Sequence, residues 1–214
     1  MDKLTAAGVT AITDFMLACE VFFLAGWTAA RPKARFSAAW FWAGTLLLLG
    51  LGALIGGIDH GFFEPANFGF DPQRWPRYFI QRANWMVLGA MTFCLLMATA
   101  KQFFPPAVQR VVAIVGIVQF AIDTAAVLLV DSFLDVILNY APVIVLLLAM
   151  NVRGLKDRSG SWPMIAGILI QFLASAIQAM GVDALSPLDH NGLYHVVSMV
   201  GVAYLYLGGK RLKP

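Results

Sequence analysis

Charge is what this chain has least of. Fifteen Lys and Arg and 12 Asp and Glu make up 13% of 214 residues, where a soluble domain carries roughly 25%. That scarcity excludes an ordinary soluble fold, and with 60% hydrophobic residues it implies one integral membrane bundle. Cysteine is nearly absent. Cys19 and Cys94 both lie inside apolar runs and read as small buried hydrophobes, so no disulfide framework exists. A basic leader and a small-residue cleavage site are also missing. The first apolar run continues to spanning length, so it reads as a helix and not a cleaved signal. The surplus of basic residues comes in short clusters between apolar runs, a pattern that encodes orientation and not nucleic-acid binding. Histidine occurs only three times.

What is present is seven apolar runs, at about 5–29, 36–62, 78–100, 107–129, 132–152, 161–182 and 188–208. Each approaches the roughly 20 residues a helix needs to cross the hydrocarbon core. The expected fold is therefore all-α, a single seven-helix transmembrane domain over residues 1–214. The division near Asp131-Ser132 is the shallowest. Trp162-Pro163 should start the sixth helix. Ser186-Pro187-Leu188-Asp189 reads as the start of the seventh, with Ser186 as N-cap and Pro187 in the first turn.

The basic residues set the orientation. Arg31, Lys33 and Arg35, then Lys101 and Arg110, then Arg153, Lys156 and Arg158, and finally Lys210, Arg211 and Lys213 all fall on one side. Asp157 is the one acidic residue in those connections. The positive-inside rule makes that side cytoplasmic, with the N-terminus outside and the C-terminus inside. Such an arrangement needs an odd number of spans. Trp27, Trp40 and Trp42 lie near the inner ends and Trp75 near the outer one, as amphipathic rings at an interface should.

The same topology carries His60, His190 and His195 to the outer face. Asp14, Asn84, Asp123, Asp135, Asn139, Tyr140 and Gln178 also fall in the outer half, and Glu20 near mid-bilayer is the exception. An ionisable group at that depth costs several kcal/mol unless it faces the bundle interior and finds a partner. A polar cavity open to the outside is one explanation. Interhelical hydrogen bonds that merely hold the bundle together are the other.

Three imidazoles match the ligand count of a catalytic zinc, which leaves a fourth position for water. The expected metal ligands are His60, His190 and His195. Their spacing is imperfect, because five residues separate His190 and His195 by roughly 140° around a regular helix. One ion reaches both only through an unwound first turn or a bulge near Gly192. Asp14 is the first candidate for general base, with Asp123 behind it. Asn139, Tyr140 and Gln178 could hydrogen-bond a substrate carbonyl or oxyanion. Asp59, Asp189 and Asn191 stand beside the histidines as supporting groups. Asp59 points about 100° away from His60, and Asp189 serves equally well as an acid at a helix N-terminus.

Gly56-Gly57-Ile58-Asp59-His60-Gly61 and His190-Asn191-Gly192-Leu193-Tyr194-His195, set in seven spans, resemble the CREST superfamily of alkaline ceramidases, progestin/adipoQ receptors and related lipid-remodelling proteins. The chain looks most like the small bacterial members. The resemblance implies a multi-pass protein of the bacterial cell membrane. It also implies Zn2+ held by the three histidines, and hydrolysis of an amide or ester in a membrane lipid or acyl-chain substrate. The sequence departs from the family in three places. Gly56 stands where the family has serine four residues before the histidine, and the last motif is one residue longer than the usual H-x3-H. The family's aspartate near the start of the third helix has no clean counterpart, Asp71 lying in the preceding loop and Asn84 inside the helix. A lipid-binding receptor or sensor with structural zinc fits these departures, and a b-type haem protein using two histidines is a further alternative. A retinal protein is disfavoured by the lack of a lysine inside the seventh segment, and no paired broken helices suggest a transporter.

Overall fold

The computed structural model of the chain describes residues 6–31, 33–64 and 75–214. Among these, the structure is all-α: α1 Ala6–Ala29, α2 Ala38–Phe62, α3 Arg77–Phe103, α4 Pro106–Leu129, α5 Phe133–Gly154, α6 Trp162–Ala179 and α7 His190–Gly209. All seven are long and apolar enough to cross a membrane. The boundaries follow from local chemistry. Ser37 and Ser132 cap α2 and α5 by accepting from the backbone N–H groups of Trp40 and Leu134 at 3.2 Å. Pro106 and Pro163 sit in the first turns of α4 and α6, where a missing N–H costs nothing. The shallow division near Asp131-Ser132 is a true break, because Ser132 restarts the chain as a cap.

The start of α7 differs from the expectation. Asp189, not Ser186, is the N-cap, and its Oδ1 accepts from Gly192 N at 2.8 Å. A carboxylate directly before the first turn, three residues ahead of the Gly192 N–H it accepts from, outcompetes the upstream serine for the free N–H groups.

Contacts between helix ends define two faces of the bundle. At what we term the basic end, Gln102 donates to Ser159 O and accepts from Lys213 N, both at 2.9 Å. Lys213 O accepts from Ala39 N at 3.0 Å, so the C-terminal segment ties α2 to α3, and Gln102 ties α3 to the α5–α6 connection. At the opposite, histidine end, Arg77 meets the end of α2, Arg82 meets Asp131, and Asp189 meets α1. The helices pack as a ring, α1–α2–α3–α5–α6–α7 and back to α1, with α4 outside it against α3 and α5.

The two ends have different interiors. The main apolar core runs from the middle to the basic end, with Leu17, Val21, Trp42, Leu46, Leu95, Val143, Leu147, Met164, Ile168 and Val202. The histidine end instead buries Thr10, Thr13, Asp14, Asp59, Arg77, Arg82 and His195. Glycines let the helices approach where side chains would not fit. At Gly208 of α7 a Cβ would meet Met164 N at 2.6 Å and its Cα at 2.8 Å, and at Gly167 of α6 it would meet Leu205 N at 2.8 Å. These neighbours are backbone and cannot rotate away. Gly208→Leu should therefore lower stability by about 1–3 kcal/mol or more, the cost of overpacking, as measured by thermal unfolding of the purified protein. Gly26→Ala, with nothing within 4 Å inside α1, should leave the melting temperature unchanged or raise it slightly, since alanine favours a helix over glycine by up to about 1 kcal/mol.

Candidate functional site

The polar interior is organised by one face of α1. Thr10, Thr13 and Asp14 are three and four residues apart and so lie side by side on the helix. Thr10 Oγ1 donates to Asp189 Oδ1 at 3.0 Å, which fastens the capped start of α7 to α1. Thr13 Oγ1 donates to Thr10 O at 2.8 Å. Its single proton is thereby used, so Thr13 accepts from His195 Nδ1 at 2.9 Å. The imidazole thus carries its proton on Nδ1, and Nε2 faces Asp14 Oδ1 at 3.1 Å. Both side chains are enclosed, Asp14 at 4% exposure and His195 at 6%. Two acceptor atoms at that distance must share a proton or a cation. Asp14 Oδ2 has no hydrogen-bond partner among the described residues.

α2 makes the room. A Cβ at Gly56 would lie 3.4 Å from Asp14 Oδ1, and one at Gly57 would lie 3.1 Å from Asp14 Cβ and 2.9 Å from Phe15. The carboxylate fills the space that a side chain at 56 would take. One turn further on the same face is His60. Its Nδ1 lies 3.1 Å from Glu64 Oε2. Arg77 Nη2 donates to the same oxygen at 2.9 Å, so Glu64 Oε2 is the acceptor and His60 Nδ1 the donor. Both His60 and His195 therefore hold Nδ1–H against an oxygen. A metal-bound histidine is oriented in the same way.

Asp59, His60 and Glu64 form a group whose ligand atoms all lie within 4.8 Å of one another. A cation there would compete with Arg77, whose Nε and Nη2 already hold Asp59 Oδ1 at 2.9 Å and Oδ2 at 3.1 Å. This bidentate fork satisfies the carboxylate, so the group is an ion-pair network tying α2 to α3. Asp14 and His195 stand apart from this network, face each other at 3.1 Å, and leave one enclosed carboxylate oxygen without a partner among the described residues.

His190 is turned elsewhere. Its backbone N and Nδ1 both reach Asp183 Oδ1, at 2.7 and 3.0 Å, in the exposed connection between α6 and α7. Those two hydrogen bonds hold the Asp183 carboxyl below the usual carboxylate range. The residue one turn before His195 is Asn191, which accepts from Gln178 Nε2 at 2.9 Å and joins α6 to α7. Tyr140 packs against the small cluster of Trp85, Val127 and Val136. Asn139 accepts from Gln119 Nε2, and Asp123 lies with it between α4 and α5. Asn84 Oδ1 sits 3.4 Å from the Cβ position of Gly52. Asp71 lies outside the described residues.

Thr10, Thr13, Glu64, Arg77 and Asp183 complete the site without having been marked in the sequence. Glu64 was legible as a carboxylate four residues after His60, just past the end of α2. The threonines were not, because an isolated Thr in an apolar helix usually bonds only to its own backbone.

The fold and site together define an all-helical protein with seven potential spans and a buried His–Asp pair where α1, α2 and α7 meet. The profile described as "Family of unknown function (DUF6962)" matches residues 9–214, and the chain belongs to that family. The match includes every residue of the site from Thr10 to His195. Neither a curated protein nor a solved structure matches the chain.

Thr13→Val should leave the Nδ1–H of His195 without an acceptor, at a cost of about 1–3 kcal/mol. Thermal unfolding measures that loss. Nitrogen-15 spectra of labelled histidine should show the Nδ1–H form of His195 in the wild type and a changed signal for that residue alone in the variant.

Proposed function

We propose that the chain is a multi-pass membrane hydrolase, with its histidine end at the outer face, that uses Zn2+ to cleave an amide or ester in a membrane lipid. The observation that carries this reading is the enclosed Thr13–His195–Asp14 arrangement, with an oriented Nε2 beside a carboxylate that has one oxygen to spare. His60 and His195 would hold the ion through Nε2 and Asp14 through Oδ1, leaving a position for water as in three-ligand zinc sites. Bound there, zinc supplies Lewis acidity toward a carbonyl oxygen and a more acidic water.

The chain's own groups supply the rest. Asp14 Oδ2 can take a proton from the attacking water and return it to the leaving amine or alkoxide. Thr13 and Glu64 keep both imidazoles in the required tautomer. Arg77 holds Asp59 and Glu64 in place, so those carboxylates do not swing onto the site. The seven apolar helices and the clustering of Lys and Arg at the basic end support the membrane placement and the orientation. The His60 and His195 motifs resemble those of the ceramidase-like superfamily, which supports the choice of a lipid amide. A lipid receptor in which zinc only fastens α1, α2 and α7 together is the second reading. It is favoured by the absence of a side chain at Gly56, where the resembled family has serine.

Elemental analysis of protein purified without chelator should give about one zinc per chain. His195→Ala, His60→Ala and Asp14→Asn should lose the metal, and His190→Ala should keep it. Zinc retention in the first three variants, or its loss only in His190→Ala, would show that this donor set is wrong. Bound zinc without turnover of any lipid amide or ester would favour the receptor.

A further inference from the structure

A second polar site lies away from the histidines, in a lateral cleft between α4 and α5. Its volume is about 560 Å³, within the roughly 300–1,000 Å³ usual for small-molecule sites. Val115, Val118, Ile122 and Ala126 of α4 and Leu138 and Pro142 of α5 form apolar walls. Gln119, Asp123, Asp135 and Asn139 are the polar lining.

The polar groups here are unfinished. Asp123 is 5% exposed, and neither carboxylate oxygen has a hydrogen-bond partner among the described residues. The side chain caps no helix, and Gly89 of α3 leaves it room, since a Cβ there would overlap Oδ2. Asn139 is 8% exposed and its Nδ2 is also unpartnered, while Gln119 Nε2 donates to its O at 2.9 Å and to its Oδ1. Asp135 contributes a further buried, unpartnered Oδ2. It has a structural reason to be in the first turn of α5, but Asp123 has none. Pro142 lacks the N–H that the Leu138 carbonyl would otherwise accept in a regular helix, which leaves one more acceptor at the cleft. A buried polar group without a partner costs about 1–3 kcal/mol, and a charged one more. Two carboxylates and an amide arranged in that way around one cavity call for a ligand.

We infer that this cleft binds the head of an amine-bearing amphiphile dissolved in the bilayer, its alkyl chain lying along the α4 and α5 walls. A cationic nitrogen answers Asp123 and Asp135 with charge-assisted hydrogen bonds. An acceptor oxygen on the same head answers Asn139 Nδ2. A bare metal ion fits poorly, because hard cations gather six or more oxygens and the lining includes the amide side chains of Gln119 and Asn139. A fatty carboxylate is repelled by Asp123. The row of exposed Val111, Ile114, Val118 and Ile122 on α4 would give a lipid chain access from the side. The inference rests on the membrane placement proposed above but not on the metal centre, so metal-free protein that still binds the amine leaves it intact.

The test is photolabelling of the purified full chain with a long-chain primary amine carrying a diazirine near its head, with the labelled peptides mapped. Label should fall on residues 106–154, and dodecylamine should compete for it where dodecanol and dodecanoate do not. Asp123→Asn should reduce labelling about tenfold or more. If that variant fails to fold, Leu138→Trp, at an exposed position, narrows the cleft and should reduce labelling comparably. Equal labelling of the variants, equal competition by dodecanol, label spread over all helices, or a cleft closed by a second copy of the chain would each overturn the inference.

Discussion

The enclosed contact between His195 and Asp14 is the constraint on which the rest of the histidine end depends. Two ionisable groups at 3.1 Å with almost no solvent are tolerable only as a pair, because removing either partner strands the other at a cost of several kcal/mol. The pair therefore fixes the distance between α1 and α7. Thr13 fixes the ring that makes the contact, Thr10 and Asp189 hold the start of α7 on α1, and Gly56 and Gly57 let α2 close over the carboxylate. Structure and chemistry are here the same set of bonds. The tautomer that satisfies Thr13 is also the tautomer that turns the Nε2 lone pair toward Asp14.

The same device occurs twice. Asp14 on α1 lies against Gly56 of α2, and Asp123 on α4 lies against Gly89 of α3. In each case a helix glycine provides the space for a carboxylate from the neighbouring helix. The outcomes differ because the surroundings differ. Beside Asp14, α7 supplies an imidazole that the α1 threonines help to hold, so one oxygen is used and one is left. Around Asp123 the neighbours are apolar apart from Asp135, Asn139 and Gln119, and both oxygens are left. The core toward the basic end is packed from apolar side chains without such carboxylates.

Much of this architecture was legible in the sequence, for identifiable reasons. Long apolar runs separated by basic clusters can only be helices of spanning length, and the seven observed helices fall within a few residues of those runs. Asp14 and His195 were legible as site residues because a charge or an imidazole in an apolar helix needs a partner. Their pairing was not, since residues 181 apart in sequence give no local signal. The five-residue interval between His190 and His195 did carry information. A regular α7 puts the two rings on different faces, and the structure keeps the helix regular and gives His190 to Asp183. The place one turn before His195 belongs to Asn191, which pairs with Gln178 instead. The start of α7 was misjudged because Ser186 and Asp189 are both good caps, and only the geometry of the chain decides between them.

In the proposed zinc centre, Nε2 of His60 and of His195, and not His190, would hold one ion beside Asp14. Cadmium-113 loading of nitrogen-15 histidine-labelled protein tests it most directly, because one-bond coupling reports metal–nitrogen bonds individually. The account predicts coupling to the Nε2 nuclei of His60 and His195 from a single cadmium, with His190 uncoupled and still reporting its hydrogen bonds to Asp183. Coupling to His190, coupling through Nδ1, or no coupling in a folded, cadmium-saturated sample would contradict it.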